Sequence, residues 1–323
     1  MKAIVYHNYG SPDVLKCEEI EKPAAGDGEV LIKVRAASVN PLDWHFMRGE
    51  PYFVRMMTGL RKPKIARLGV DVAGQVEAVG GNVTQFKPGD EVFGSCRGAF
   101  AEYVCTFERA LVAKPDNLTF EQAASAPVAA ITAWQGLRDK GRIQPGWKVL
   151  INGAAGGVGT FAVQIAKSFG ADVTGVSSTR NVDMVRSIGA DRVVDYTQED
   201  FTRSGQRYDL IFDTVGNHSL LACRHVLNPK GTYIAVGGPA GRWFDPMADL
   251  IKTLALSPFV SQKLVMFMAR LSKEDLTVVR ELMMSGKVTP VIDRRYRLSE
   301  VPEAIRYLEA GHARGKVVIA MAS

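Results

Sequence analysis

One stretch constrains this chain more than any other. Lys148–Asn152 has the apolar character of a buried strand and runs straight into Gly153-Ala154-Ala155-Gly156-Gly157-Val158-Gly159. A helix, Val158–Phe169, begins inside that turn. Strand, glycine turn and helix in succession open a βαβ unit, and such a unit commits the chain to a parallel sheet covered by helices. The glycines let backbone approach a pyrophosphate, while the helix N-terminus supplies N–H donors and partial positive charge. The spacing departs from G-x-G-x-x-G, since Ala154 stands where the first glycine belongs and Gly153 precedes it. A bare β–α connection also uses such turns. The complete βαβ context favours a dinucleotide, with Gly153, Ala155, Gly156, Gly157, Val158 and Gly159 as its cradle.

The end of the next strand, Asp172–Val176, selects the cofactor. An NAD-selective fold places Asp or Glu there to accept from the ribose hydroxyls. This chain reads Ser177-Ser178-Thr179-Arg180-Asn181, with no carboxylate. Ser177, Ser178 and Arg180 suit a 2′-phosphate, so NADPH is expected over NADH. The same residues also suit a helix cap followed by a solvated arginine.

Alternation continues on both sides of this unit. A helix over Val182–Ile188 follows, then strands at Val193–Asp195, Leu210–Asp213 and Thr232–Val236, with Lys263–Met268 as a sixth strand at a sheet edge. Thr119, with Gln122 three residues on, caps an Ala-rich helix over Glu121–Gly136. Lys273–Met284 and Val301–Gly311 read as amphipathic helices, and Lys316–Ala320 as a strand. The first part differs. Ala3–Tyr6, Glu29–Ala36, Val70–Val79, Glu91–Gly94 and Ala101–Thr106 are short β-like runs separated by turn signals such as Gly26-Asp27-Gly28 and Lys87-Pro88-Gly89-Asp90. They predict a mostly antiparallel, barrel-like domain.

A length of 323 residues fits two domains. No run of about 18 apolar residues suggests a membrane span. Four cysteines, with no C-x-x-C pair, suit a reducing, cytoplasmic setting. Lys and Arg outnumber Asp and Glu by 40 to 34. That excess permits nucleic acid, an anionic surface or a phosphorylated ligand.

The ordered set of motifs carries a family likeness. Its markers are Ser38-Val39-Asn40-Pro41-Leu42-Asp43, Gly69-Val70-Asp71-Val72-Ala73-Gly74, Phe86–Val92, Gly98–Tyr103, the Gly153–Gly159 turn, Asp213-Thr214-Val215-Gly216 and Gly311–Lys316. Over nearly its whole length the chain resembles the medium-chain dehydrogenase/reductase superfamily, and most of all its zinc-independent, zeta-crystallin-like quinone oxidoreductase branch. The resemblance implies an α/β chain of two domains: a GroES-like β-barrel over 1–124 and 270–323, and a Rossmann doubly wound parallel sheet over 125–269.

The resemblance also implies roles. Asn40 and Thr132 would lie at the nicotinamide and the acceptor. Tyr196, Val215, Gly237 and Gly238 would border the cofactor, and Arg314 and Lys316 would reach its phosphates. The alternatives are a turn residue at Asn40, a helix-interior residue at Thr132, a half-buried Tyr196 and a solvated loop around Arg314. Asn40 and Val70 stand where zinc-dependent relatives place a ligating Cys and His, and the cysteine-rich structural lobe is missing, so no zinc is expected. Without a Lewis acid, an electron-poor quinone or α,β-unsaturated carbonyl is the expected acceptor. Reduction of an enoyl thioester or one specific enone is a second reading. An RNA-binding or structural role, as in zeta-crystallin-like proteins, is a third, although no RNA-binding motif is present and nucleic acid is not expected. A homodimer is implied, pairing strands at Lys263–Met268. No proton donor is identified; Asp43 and His45 are read as structural.

Arg48, Arg55, Arg61, Lys62, Lys64 and Arg67 face a single acid, Glu50, within Arg48–Arg67, interleaved with Tyr52, Phe53, Met56, Met57 and Leu60. This is either an apolar lid with a basic rim for an anionic acceptor or a solvated surface segment.

Overall fold

The computed structural model describes residues 1–236 and 261–321. The chain forms two units, 1–129 with 271–286 and 290–323, and 130–270 with 287–289. The first division therefore falls inside helix Pro127–Gln135, not at the expected 124/125 boundary. A three-residue piece, Lys287–Thr289, also groups with the second unit.

In the first unit, β1 (Lys2–Val5) pairs antiparallel with β2 (Lys16–Glu19). The main sheet has seven strands: β3 (Glu29–Val39), β4 (Asp71–Val79), β5 (Glu91–Ser95), β6 (Tyr103–Phe107), β7 (Leu111–Ala113), β14 (Ile292–Arg297) and β15 (Lys316–Ala320). Its order is β14-β15-β3-β4-β5-β7, with β6 also on β3. Only β14 and β15 run parallel; the other pairs are antiparallel. The centre is β3, whose alternation buries Val30, Ile32 and Val34 in a core shared with Val72, Val92, Phe100, Val104 and Val317. Helix Val301–Glu309 adds Val301, Ala304 and Ile305 to the same core.

In the second unit, six parallel strands take the order β10-β9-β8-β11-β12-β13. They are β8 (Lys148–Asn152), β9 (Asp172–Ser177), β10 (Arg192–Asp195), β11 (Tyr208–Asp213), β12 (Leu227–Ala235) and β13 (Lys263–Met266). The strand expected at the edge is there, as β13. The order runs outward in both directions from β8, so β8 and β11 border the switch point where such sheets bind ligands at their carboxyl ends.

Several elements differ from expectation. The Ala-rich helix is two, Phe120–Ala124 and Pro127–Gln135, followed by a wide turn at Gly136–Gly141. Proline lacks the N–H that a continuous helix needs, so Pro127 starts a new one. The cap stands: Thr119 and Gln122 exchange bonds of 3.0 and 3.2 Å between side chains and backbone N–H groups. Helix Pro41–Arg48 and strands β2, β7 and β14 escaped the sequence reading. β14 carries Arg294, Arg295 and Arg297, and its edge position lets it keep those charges in water.

Candidate functional site

In the second unit, β8 delivers the chain to Gly153 at φ +84°. Ala154 N–H donates to Val176 O of β9 at 3.0 Å, and Gly156 N–H closes the turn on Gly153 O at 2.9 Å. Helix Gly157–Ser168 then starts, with Thr160 N–H to Gly156 O as its first rung at 3.0 Å. The N–H groups of Gly157, Val158 and Gly159 precede that rung and have no acceptor within the helix. A Cβ on Gly159 would sit 2.0 Å from Gly153 O, and one on Gly153 would sit 2.3 Å from Thr214 Oγ1. A Cβ on Gly156 would meet only Gly153 O, at 3.3 Å. Two glycines thus serve packing, and the third keeps the helix N-terminus open. This fits a pyrophosphate.

Ser177, the last residue of β9, is buried, and Ser178 accepts from Asn181 Nδ2 at 3.2 Å. Arg180 is exposed in the turn that follows. Tyr196 is exposed just after β10. Thr132 is buried within helix Pro127–Gln135. Gly237 and Gly238 lie outside the described residues.

Two carboxylates of this unit, Asp195 and Asp213, do structural work that the sequence does not display. Asp195, the residue paired with Ser177 across β9 and β10, accepts from Thr197 N–H at 3.0 Å and Thr197 Oγ1 at 2.8 Å. Hydroxyls of Thr179 and Thr197 hold its carboxyl below the usual range. The strand end without a carboxylate therefore has one on the neighbouring strand. The signal lay in Val194-Asp195-Tyr196, at the end of the third strand. Asp213, fully enclosed, accepts from Val215 N–H, Gly216 N–H and Asn152 Nδ2, each at 2.9 Å, and from Tyr233 OH at 2.9 Å. Thr214 Oγ1 adds a 2.9 Å bond to Asn152 O. One carboxylate thus fixes the Thr214–Gly216 turn beside Gly153 and leaves Val215 exposed.

In the first unit, register builds the cluster. Ser38 of β3 pairs with Asp71 of β4, and Val39 with Val317 of β15, which brings Lys316 beside Asn40. Side chains two residues apart on β3 share a face, so all four polar groups converge. Ser38 Oγ and Asn40 Nδ2 each donate to Asp71 Oδ2 at 2.8 Å. Lys316 Nζ donates to Asn40 Oδ1 at 2.6 Å and stands 3.5 Å from Asp71 Oδ2. Asn40 Nδ2 also reaches Ser38 O at 3.4 Å. Asp71 Oδ1 accepts from Val128 N–H at 3.0 Å. All of these side chains are buried.

Asn40 precedes helix Pro41–Arg48, and its N–H donates to Asp43 Oδ2 at 2.8 Å. Asp43 Oδ1 takes Gly69 N–H at 3.1 Å. Burial pushes the Asp43 carboxyl up to about 7, against those two hydrogen bonds, which favour the carboxylate. Burial lowers the Lys316 ammonium from its ordinary value, opposed by Asp71.

Lys316, expected at the cofactor's phosphates, has a side chain 3% exposed whose ammonium is held by Asn40 and Asp71. Arg314 has an exposed side chain, and its backbone N–H binds Asp293 Oδ2 at 2.9 Å. Within the basic segment, Arg48 pairs with Glu309 at 2.5 and 3.1 Å, and Arg55 stacks on Tyr9 and Tyr52. Met56, Leu60, Arg61, Lys62 and Lys64 remain exposed.

Zinc does not fit the positions that correspond to ligands in zinc-dependent relatives. Val70 has no donor atom, and the Asn40 oxygen already holds an ammonium. Among the described residues, no three His, Cys, Asp or Glu side chains are placed to share a metal ion.

Residues 26–116 match the alcohol dehydrogenase GroES-like domain, and residues 188–319 match the zinc-binding dehydrogenase family. The chain is 35% identical to a 2-methylene-furan-3-one reductase of Solanum lycopersicum over 99% of its length and 79% of the relative's. It is also 35% identical to a chloroplastic NADPH-dependent alkenal/one oxidoreductase of Arabidopsis thaliana, with the same coverage of 99% and 79%. The structure of the quinone oxidoreductase from Coxiella burnetii superimposes with a TM-score of 0.88 at 30% identity, over 100% of this chain and 99% of that one. The chain belongs to the medium-chain dehydrogenase/reductase superfamily, in its quinone oxidoreductase branch.

Proposed function

We propose that this protein transfers a hydride from NADPH to a quinone or an α,β-unsaturated carbonyl without zinc. The observation that carries the reading is the Gly153–Gly159 turn. Gly156 leaves backbone, and not side chain, at a helix N-terminus where an anion would bind. When bound, the cofactor supplies the hydride. The N–H groups of Gly157, Val158 and Gly159 would hold the pyrophosphate, and Asp213 would keep the adjoining turn, with Val215, in place. Ser177, Ser178 and Arg180 would take the 2′-phosphate, with Tyr196 beside them. Similarity to an NADPH-dependent oxidoreductase supports that choice. Asn40 and Thr132 would stand at the nicotinamide and the acceptor.

Zinc independence rests on Val70 and on the committed oxygen of Asn40. A homodimer through β13, the edge strand among the described residues, and a reducing compartment such as the cytoplasm, belong to the same reading. All four cysteines are free thiols, as a reducing compartment expects.

The test is an acceptor panel of quinones and enones, each with NADPH and NADH, followed by NADPH oxidation at 340 nm, on protein purified without added metal. Turnover with NADPH that survives chelator is expected. Turnover that requires zinc, or micromolar RNA binding with no turnover on any acceptor, overturns the reading.

A further inference from the structure

Among the described residues, the cluster around Lys316 is the polar assembly that the function above leaves unexplained. A buried ammonium is costly, and β15 is otherwise apolar here: Val317, Val318 and Ile319 are enclosed. Asp71, 3.5 Å away, offsets part of that cost as the counter-ion. What the lysine adds is specific. Both protons of Asn40 Nδ2 are engaged, by Asp71 and by Ser38 O, and Oδ1 is engaged by Lys316. The amide can therefore sit in one orientation only, because a flip would aim its NH2 at the ammonium and its oxygen at the Asp71 carboxylate. Asp71 also binds Val128 N–H, in the first turn of the helix that carries Thr132. The same carboxylate thus holds Asn40 and the start of that helix.

We propose that Lys316 is a positioning residue. With Asp71, it locks the Asn40 amide in one orientation, with its oxygen on the Lys316 ammonium and its donors spent inside the protein. The proposal rests on the reading of Asn40 as an active-site residue. It excludes one version of that reading, in which Asn40 Nδ2 donates to the acceptor's carbonyl. Lys316 acts through Asn40 and touches neither cofactor nor acceptor.

The test combines turnover with a readout independent of it. Lys316→Met removes the ammonium at similar volume, and Lys316→Gln keeps an N–H donor. Turnover in Lys316→Met is expected to fall about 10- to 100-fold, the scale of a misplaced active-site group. The loss falls on kcat, while NADPH binding and its KM stay within about twofold, because the cradle is built by other residues. Lys316→Gln recovers part of the loss. In an Asn40→Ala background, Lys316→Met costs nothing further, since there is no amide left to hold.

Independently, the Asn40 side-chain NH2 resonances in 15N-Asn-labelled protein, assigned by their absence in Asn40→Ala, exchange slowly with water in the wild type. They exchange at least tenfold faster in Lys316→Met. If Lys316→Met perturbs folding, the Gln variant and the wild-type exchange rate still decide the matter. Additive losses in the double variant, full activity in Lys316→Met, or unchanged amide exchange overturns the proposal alone. Wild-type turnover in Asn40→Ala overturns the reading of Asn40 together with it.

Discussion

Alanine at Gly159 and alanine at Gly156 separate a turn built for packing from a turn built for a ligand. At Gly159 the new Cβ would lie 2.0 Å from Gly153 O. A carbon–oxygen contact needs about 3.3 Å, so backbone has to open by more than 1 Å at the crossing of β8 and the helix. Overpacking of this kind costs about 1–3 kcal/mol, and removing a helical glycine returns about 0.5–1 kcal/mol. Mid-range values leave a net loss of about 1.25 kcal/mol. At about 2–4 °C per kcal/mol, that lowers Tm by about 2.5–5 °C.

At Gly156 the nearest atom to the new Cβ is 3.3 Å away, so a small shift of Gly153 O accommodates it and Tm stays within about 2 °C. The methyl group there stands at the mouth of the helix N-terminus. Losing about 1.4 kcal/mol or more of contact with the pyrophosphate weakens NADPH binding at least about tenfold. Differential scanning fluorimetry and titration of NADPH fluorescence read the two effects separately. If Gly156→Ala binds NADPH as the wild type does, the turn is only a tight connection and the cofactor reading of it is wrong. If Gly159→Ala melts with the wild type, the steric account is wrong.

The remaining predictions concern charge. Arg180→Ala is expected to raise the Kd for NADPH about tenfold or more, the value of one charge-assisted hydrogen bond, and to leave that for NADH unchanged; equal loss of both cofactors refutes its role at the 2′-phosphate. Asp43 has a folded pKa of about 7, above its unfolded value, so the folded state binds the extra proton. Its stabilising contribution is therefore present below about pH 4 and is lost as pH rises toward 7. Relative to the wild type, Asp43→Asn should gain in Tm across that range, and a difference independent of pH would show that Asp43 is ionised throughout.

What the sequence reveals about this chain depends on how local each feature is. The Gly153–Gly159 turn is legible because strand, glycines and helix are contiguous. Thr119 and Gln122 are legible because a capping box closes within four residues. Lys316 misleads because it opens the strand Lys316–Ala320 directly after an exposed turn, and nothing local records that β15 is to lie beside β3. Register decides whether that side chain meets water or Asn40. Asp213 was read only as part of a motif. Its work is to satisfy N–H groups two and three residues on, together with Asn152 and Tyr233 from neighbouring strands, and only the parallel pairing shows this. Asp195 escaped because the cofactor argument inspects one strand end, whereas the sheet sets two side by side.

The position of β15 beside β3 has a consequence for how the protein is made. Lys316 and Asn40 are 276 residues apart, and β15 pairs with the Ala36–Val39 stretch of β3, beyond the part that β6 covers. At about 5–20 residues per second, a ribosome needs about 14–55 s to deliver the second residue after the first. For that interval the Ala36–Val39 stretch of β3 lacks its β15 partner, and the Asp71 carboxylate lacks its counter-ion. The parallel sheet, encoded between the two pieces of the barrel, can meanwhile fold on its own contacts. The part of the molecule synthesised first is thus finished last. Its half-built edge is where chaperone binding or misassembly during synthesis would concentrate.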